Sequence, residues 1–120
     1  MNYSKDDRNA PQKISDDAIA ICAANATLRT EGVADLSSGF SDTIQKNILG
    51  REPLYKGIKV SQGTDGTTLD IFVFVKYGSK IPEVSWDIQE NVKLCVTDIT
   101  EVPVKSVNIH IQGVVKEEKD

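Results

Sequence analysis

The stretch that decides the fold is Thr67–Val115, with the sequence TTLDIFVFVKYGSKIPEVSWDIQENVKLCVTDITEVPVKSVNIHIQGVV. Its first part, Thr67–Tyr77, alternates as a β-strand does, and residues 77–82 then break the pattern. Apolar residues recur with helical spacing over residues 83–99, and Val104–Val115 alternates again. The order strand, tight loop, helix, strand predicts one unit, which the rest of the chain covers.

The first of these strands is apolar on both faces. One face carries Leu69, Ile71, Val73, Val75 and Tyr77. The other face carries Phe72 and Phe74 among polar and charged neighbours. A strand of this kind lies centrally in a sheet, or its second face is covered by another element.

The helix at residues 83–99 has the clearest amphipathic pattern in the chain. Its apolar stripe consists of Val84, Ile88, Val92, Cys95, Val96 and Ile99. Trp86 falls on the opposite side, among Glu90, Lys93 and Thr97. In the last strand, Val107, Ile109 and Ile111 are predicted to point inward.

The residues before this unit predict a second helix and a hairpin. Ser15 is a suitable N-cap for a helix that runs to about Leu28 and ends before Gly32. Its apolar residues occupy two sides, which indicates deep packing or cover by another chain. Short strands are predicted at residues 33–36 and 57–61, with a turn at residues 62–66. The segment Ser37–Lys56 is undecided.

Together these elements predict a two-layer α+β domain, with a sheet of three or four strands and two main helices packed on one face. We expect a disordered arm at residues 1–12, a single domain at residues 13–115 and a charged tail at residues 116–120. The predicted core consists of Ile19, Cys22, Ala26, Leu69, Ile71, Val73, Val75, Val84, Ile88, Val92, Cys95, Ile109 and Ile111.

Chain length, net charge, apolar runs and cysteine count limit the classes of protein to which this sequence can belong. A chain of 120 residues is long enough for one domain with a core of its own. The net charge of −4 argues against a surface that tracks phosphates. No apolar run approaches the roughly 20 residues that span a bilayer. Two cysteines and no signal peptide predict free thiols in a reducing, cytoplasmic compartment.

The residues that could carry chemistry are better explained as structural. His110, the single histidine, lies on a polar strand face without a pattern of cysteines or carboxylates around it, so we expect it to face solvent. Cys22 and Cys95 fall on predicted core faces and are expected to be buried free thiols. Asp16 and Asp17 suit the first turn of a helix. We therefore predict no catalytic residue, no metal site and no cofactor.

Three aromatic residues remain as candidate partner-binding residues. Trp86 lies off the buried stripe, as interface anchors do. Its alternative is to pack under the N-terminal arm or under the Ser37–Lys56 segment. Phe72 and Phe74 raise the same question on the second face of the sheet. With the two-sided first helix, they suggest association with another copy or another protein.

A family resemblance is carried by the motifs Tyr77-Gly78, Ile81-Pro82-Glu83-Val84, Ile88-Gln89, Asn91-Val92-Lys93 and Val107-Asn108-Ile109. With the Ile14-Ser15-Asp16 start, Gly32-Val33 and the strand at residues 57–60, they resemble the alkaline shock protein family over about residues 14–115. The resemblance implies a bacterial, mostly Gram-positive, cytosolic protein linked to cell-envelope and alkaline stress. It also implies a membrane-proximal position reached through a small membrane-anchored partner. It supplies no catalytic residues.

The leading hypothesis is therefore a non-enzymatic interaction or scaffold protein of cell-envelope stress homeostasis. It would act by self-association or through a membrane-anchored partner, without inserting into the membrane. The alternative is a small RNA- or nucleic-acid-binding module with a KH-like loop at Gly78–Ile81, served by Lys76, Lys80 and Lys93. A third is a small-molecule binder or enzyme with a polar pocket under Ser37–Lys56.

Overall fold

The structure, a computed structural model, describes residues 14–37, 57–100 and 103–116. Within these ranges the order of elements is helix, three strands, helix, strand. The bounds are α1 (Asp16–Leu28), β1 (Val33–Leu36), β2 (Ile58–Gly63), β3 (Gly66–Lys76), α2 (Ile81–Thr100) and β4 (Val104–Val115). The predicted N-terminal arm, residues 38–56 of the undecided segment and residues 117–120 of the tail lie outside the described residues.

β3 is the central strand, as its two apolar faces predict. β4 pairs with one edge of β3 in parallel, while β1 and β2 pair with the other edge in antiparallel. β2 pairs with the first part of β3 and β1 with the last part. They meet at Phe72, whose C=O accepts from Ser37 N–H at 2.8 Å and whose N–H donates to Gly57 O at 2.9 Å. The α+β class is confirmed, with a mixed sheet of four strands.

The buried residues of both helices form one cluster with the odd-numbered residues of β3. From the predicted core, the buried members are Ile19, Ala26, Leu69, Ile71, Val73, Val75, Val84, Ile88 and Val92. The other four, Cys22, Cys95, Ile109 and Ile111, are only partly buried against this cluster. For the two isoleucines the reason is that β4 is an edge strand among the described elements. Tyr77, predicted on the inner face, lies beyond the end of β3 and is 69% exposed.

The start and packing of α1 follow from its sequence. Ser15 caps the helix, because its Oγ accepts from Ala18 N–H at 3.1 Å. Small residues fill most of the buried side, while Ile21 and Leu28 are 43% and 47% exposed on the other side. Neither α1 nor α2, the helices of the described residues, is long and apolar enough to cross a membrane.

Candidate interaction surface

Trp86 lies beside a groove between α2 and β4. The groove has a volume of about 350 Å³ and is lined by Trp86, Gln89, Glu90, Lys93, Lys105, Ser106, Val107 and Asn108. We call it the Trp86 groove. Trp86 is 60% exposed, because it projects from the side of α2 that lies opposite the buried Val84 and Ile88. Its predicted place off the buried stripe is therefore confirmed, whereas packing under the N-terminal arm or under Ser37–Lys56 falls on segments almost wholly outside the described residues.

One hydrogen bond ties the floor of the Trp86 groove to its wall. The Gln89 side-chain amide donates through Nε2 to the backbone O of Val107 at 2.9 Å. A helix side chain thus reaches the backbone of β4, and one edge carbonyl of that strand has a partner.

Phe72 and Phe74 lie on the face of the sheet away from the helices, and both are half-buried. The Phe72 ring stacks on the His110 ring, with centroids 4.4 Å apart and planes 13° apart. Phe74 lies against Gly113, where an added Cβ would be 3.3 Å from the ring. Trp86 belongs to the helix layer, so the three predicted partner-binding residues form two surfaces on opposite sides of the sheet.

His110 does not face solvent alone, as the sequence predicted, but has a carboxylate partner. Its Nε2 lies 3.0 Å from Asp70 Oδ1, and Asn108 Nδ2 donates to the same oxygen at 3.2 Å. The parallel register of β3 and β4 pairs Asp70 with Asn108 and Phe72 with His110. Sequence spacing gives no signal for this contact, because the pairing joins residues 40 positions apart. The pair makes a polar clamp across two strands.

The cysteines correct a second prediction. Cys22 of α1 and Cys95 of α2 form a disulfide with a Cα–Cα distance of 6.4 Å, so neither is a free thiol. The inference from free thiols to a reducing compartment loses its premise, because disulfides persist in oxidising surroundings. A hydrogen bond from Asn91 Nδ2 to Thr30 Oγ1 at 2.9 Å adds a second tie between α2 and the end of α1.

The lysines of the nucleic-acid alternative are not brought together. Lys76 and Lys80 flank the β3–α2 loop, whereas Lys93 lines the Trp86 groove. At 1.5 Å per residue, Lys80 and Lys93 are roughly 20 Å apart along α2. The β3–α2 loop also joins a strand to a helix, whereas a KH-like loop joins two helices. The described residues contain no group of three or more potential metal ligands, and a pocket under Ser37–Lys56 falls on a segment almost wholly outside them.

Among solved structures, the protein titled MamM-CTD H264A is similar to 87% of this chain over 100% of its own length. The TM-score is 0.49 and the sequence identity 12%, so this similarity carries no functional argument. A second form, MamM CTD M250L, gives the same TM-score and identity over 81% of this chain and 95% of its own.

Proteins of two bacteria are similar in sequence. The uncharacterized protein Spy1535 of Streptococcus pyogenes serotype M6 is 40% identical over 106 residues, covering 87% of this chain and 78% of that protein. In Bacillus subtilis strain 168, the uncharacterized protein YloU is 34% identical over 103 residues, covering 84% of this chain and 85% of its own. YqhY of the same strain is 30% identical over 102 residues, covering 85% and 75%.

The family model of alkaline shock protein 23, described as having a cell envelope-related function, matches residues 4–116. This match spans nearly the whole sequence and agrees with the motifs that resemble the alkaline shock proteins. The chain belongs to the alkaline shock protein 23 family.

Proposed function

We propose that this chain is a non-enzymatic interaction module, a scaffold of cell-envelope stress homeostasis. It acts by self-association or by binding a small membrane-anchored protein, which gives the chain a membrane-proximal position. The cell envelope-related description of the family supports the setting. The observation that carries the proposal is Trp86, which is 60% exposed beside a groove with a polar rim.

The exposed indole of Trp86 offers a partner a large apolar area to cover. Covering a tryptophan side chain removes about 150–250 Å² of surface from water. Each Å² of apolar surface removed contributes roughly 25 cal/mol of favourable free energy. Tryptophan is also enriched among the few residues that dominate binding energies. Gln89, Glu90 and Lys93 around it supply donors and charges that orient a partner. Phe72 and Phe74 form a second, separate candidate surface, since they lie on the other side of the sheet.

The test replaces Trp86 and compares it with a matched residue. Leu94 is 66% exposed on the same helix, but it does not line the Trp86 groove. We expect Trp86→Ala to keep its unfolding midpoint and to lose self-association or capture of a membrane-fraction partner, while Leu94→Ala keeps both. Light scattering after size-exclusion chromatography measures the first, and affinity capture from gently solubilised native cells measures the second. Unchanged assembly and capture in Trp86→Ala would remove Trp86 from the proposal.

A further inference from the structure

β4 pairs with β3 along one edge, and among the described residues no strand pairs with its other, outer edge. Two register shifts in its pairing with β3 leave Lys105 and Gln112 without partners in β3. Between these bulges, residues 106–111 pair regularly with residues 68–73 of β3. Natural proteins protect open edges against pairing, so an open regular stretch calls for an occupant.

The backbone groups on this edge are identified by Gln89. Its amide bonds Val107 O from the side of α2, so that carbonyl is directed away from β3. Backbone groups of a strand alternate between its two neighbours, so Ile109 and Ile111 also present N–H and C=O groups to the open edge. The three outward residues are centred on Ile109.

The side chains along the same edge are incompletely covered. Ile109 and Ile111 are partly buried, while their β3 partners Ile71 and Val73 are 0% exposed. Trp86 lies in the helix layer over the same strand, in the groove lined by Lys105–Asn108. The edge therefore combines unpaired backbone groups, half-covered isoleucines and an exposed indole.

We propose that this edge binds the same edge of a second copy of the chain, with the two β4 strands antiparallel about a two-fold axis at Ile109. Val107 then lies opposite the partner's Ile111, and Ile109 lies opposite the partner's Ile109. Each of these pairs exchanges two backbone hydrogen bonds. Closed two-fold dimers are the commonest assemblies of identical chains. The inference rests on the self-association arm of the proposed function and gives it a geometry.

The helix layer selects a second copy over a single extended peptide. A peptide strand would satisfy the β4 edge but leave Trp86 uncovered, because Trp86 lies above the sheet. Strands are spaced by about 4.8 Å and packed helices by about 10 Å. Pairing two β4 edges therefore brings the two α2 helices to packing distance across the axis. The helices are then antiparallel. Because Gln89 bonds Val107, two residues before the axis at Ile109, Trp86 lies near the level of the axis and faces the same stretch of the partner's α2.

Gln89 is compatible with this dimer. A backbone carbonyl has two lone pairs, so Val107 O accepts from Gln89 and from a neighbouring strand together. In a single copy, Gln89 gives this exposed carbonyl a partner. In the dimer it becomes part of the covered floor of the Trp86 groove.

The first experiment is disulfide cross-linking between paired cysteine variants of the full chain, in which the Cys22–Cys95 disulfide is kept oxidised. The proposed register sets Asn108 opposite the partner's His110 in a pair without hydrogen bonds, where Cα atoms are about 4.5 Å apart. That distance permits a disulfide. Mixed Asn108→Cys and His110→Cys chains should give a covalent heterodimer under mild oxidation. Ser61→Cys on β2 mixed with His110→Cys should give none.

The second experiment is sedimentation of the wild type and of Ile109→Lys, which sets two charges face to face at the axis. We expect loss of the dimer at concentrations where the wild type is dimeric, while Ile21→Lys on the far side of α1 keeps it. A wild type that sediments as a monomer, or a dimer without the 108–110 cross-link, overturns the β4 pairing. Partner capture that depends on Trp86 in a monomeric chain would overturn it while leaving the proposed function standing.

Discussion

At the scale of residues, two glycines with the same backbone conformation differ in their surroundings. Gly32 has φ +97° and lies where an added Cβ would be 2.5 Å from Val84 Cγ2. Gly78 has φ +90° with nothing within 4 Å. A side chain at either position must adopt a strained left-handed backbone conformation. Only at Gly32 would it also clash with a neighbouring side chain.

We therefore predict that Gly78→Ala costs about 1–2 kcal/mol of unfolding free energy, the price of a left-handed non-glycine residue. Gly32→Ala should cost more, because Val84 belongs to the core and α2 must shift. Urea unfolding monitored at Trp86 fluorescence measures both. Equal losses would mean that the contact between Gly32 and Val84 of α2 adjusts without a free-energy cost.

The turn before β3 carries an ion pair with the first part of β4. Lys105 Nζ lies 3.0 Å from Asp65 Oδ2, and both side chains are exposed. The hydrogen bond from Lys105, helped by one from Asp65's own backbone and by the lysine charge, lowers the pKa of Asp65 below its usual value. A lowered folded-state pKa gives stability that is present above the unfolded pKa and is lost as pH falls through the folded pKa.

We expect the carboxyl of Asp65 to titrate by NMR below a typical aspartate, and Lys105→Met to raise its pKa again. The unfolding free energy of the variant should also fall less than that of the wild type as the pH is lowered through the pKa of Asp65. An Asp65 midpoint unmoved by Lys105→Met would contradict the prediction.

At the scale of elements, the Cys22–Cys95 disulfide joins α1 to α2 across a sequence separation of 73 residues. A cross-link of this span restricts the unfolded chain, worth roughly 4 kcal/mol in the chain-entropy description. We predict that reduction, or the double variant Cys22→Ser and Cys95→Ser, lowers the unfolding free energy by up to this amount. Under reductant the wild type and the double variant should agree. A thiol assay that finds both cysteines free before reduction would contradict the disulfide.

The elements themselves were predictable where a local period governs them. β1 and β4 have the predicted bounds, and α2 extends the predicted helix by two residues at its start and one at its end. The Cys22–Cys95 pair was not predictable in this way, because a period assigns each cysteine a side of its own helix without fixing how two helices face each other. The Asp70–His110 clamp needs the β3–β4 register. The helical period placed Trp86 off the buried stripe, but it could not supply its neighbours Lys105–Asn108, which come from a strand beyond the helix.

At the scale of the whole molecule, Ser37 and Gly57, which flank residues 38–56, meet at a single point of the sheet. Ser37 and Gly57 both bond Phe72, and an added Cβ on Gly57 would lie 2.7 Å from Ser37 O. The two ends of the intervening segment are thus adjacent in space, and a short linker can join them without moving β1 or β2.

We predict that replacing residues 38–56 with a four-residue Gly/Ser linker preserves the cooperative unfolding transition. The physical reason is that Ser37 and Gly57 are already adjacent, so the linker closes without moving β1 or β2. Differential scanning calorimetry measures the change, with the same linker inserted after Gly78 as the control for added flexibility. Loss of cooperativity would mean that the replaced residues complete the core.

Among the described strands, β3 pairs with each of the other three, and its partner β4 is the last of them to be synthesised. A ribosome that releases this chain in order has exposed α1, β1, β2, β3 and α2 before Val104–Val115 emerges. Until then one edge of β3 has no strand beside it, and α2 rests over an unfinished sheet. A nascent chain that has not yet released β4 therefore lacks one strand of its sheet. Stop codons placed before Val104 should yield polypeptides that chaperones and proteases recognise.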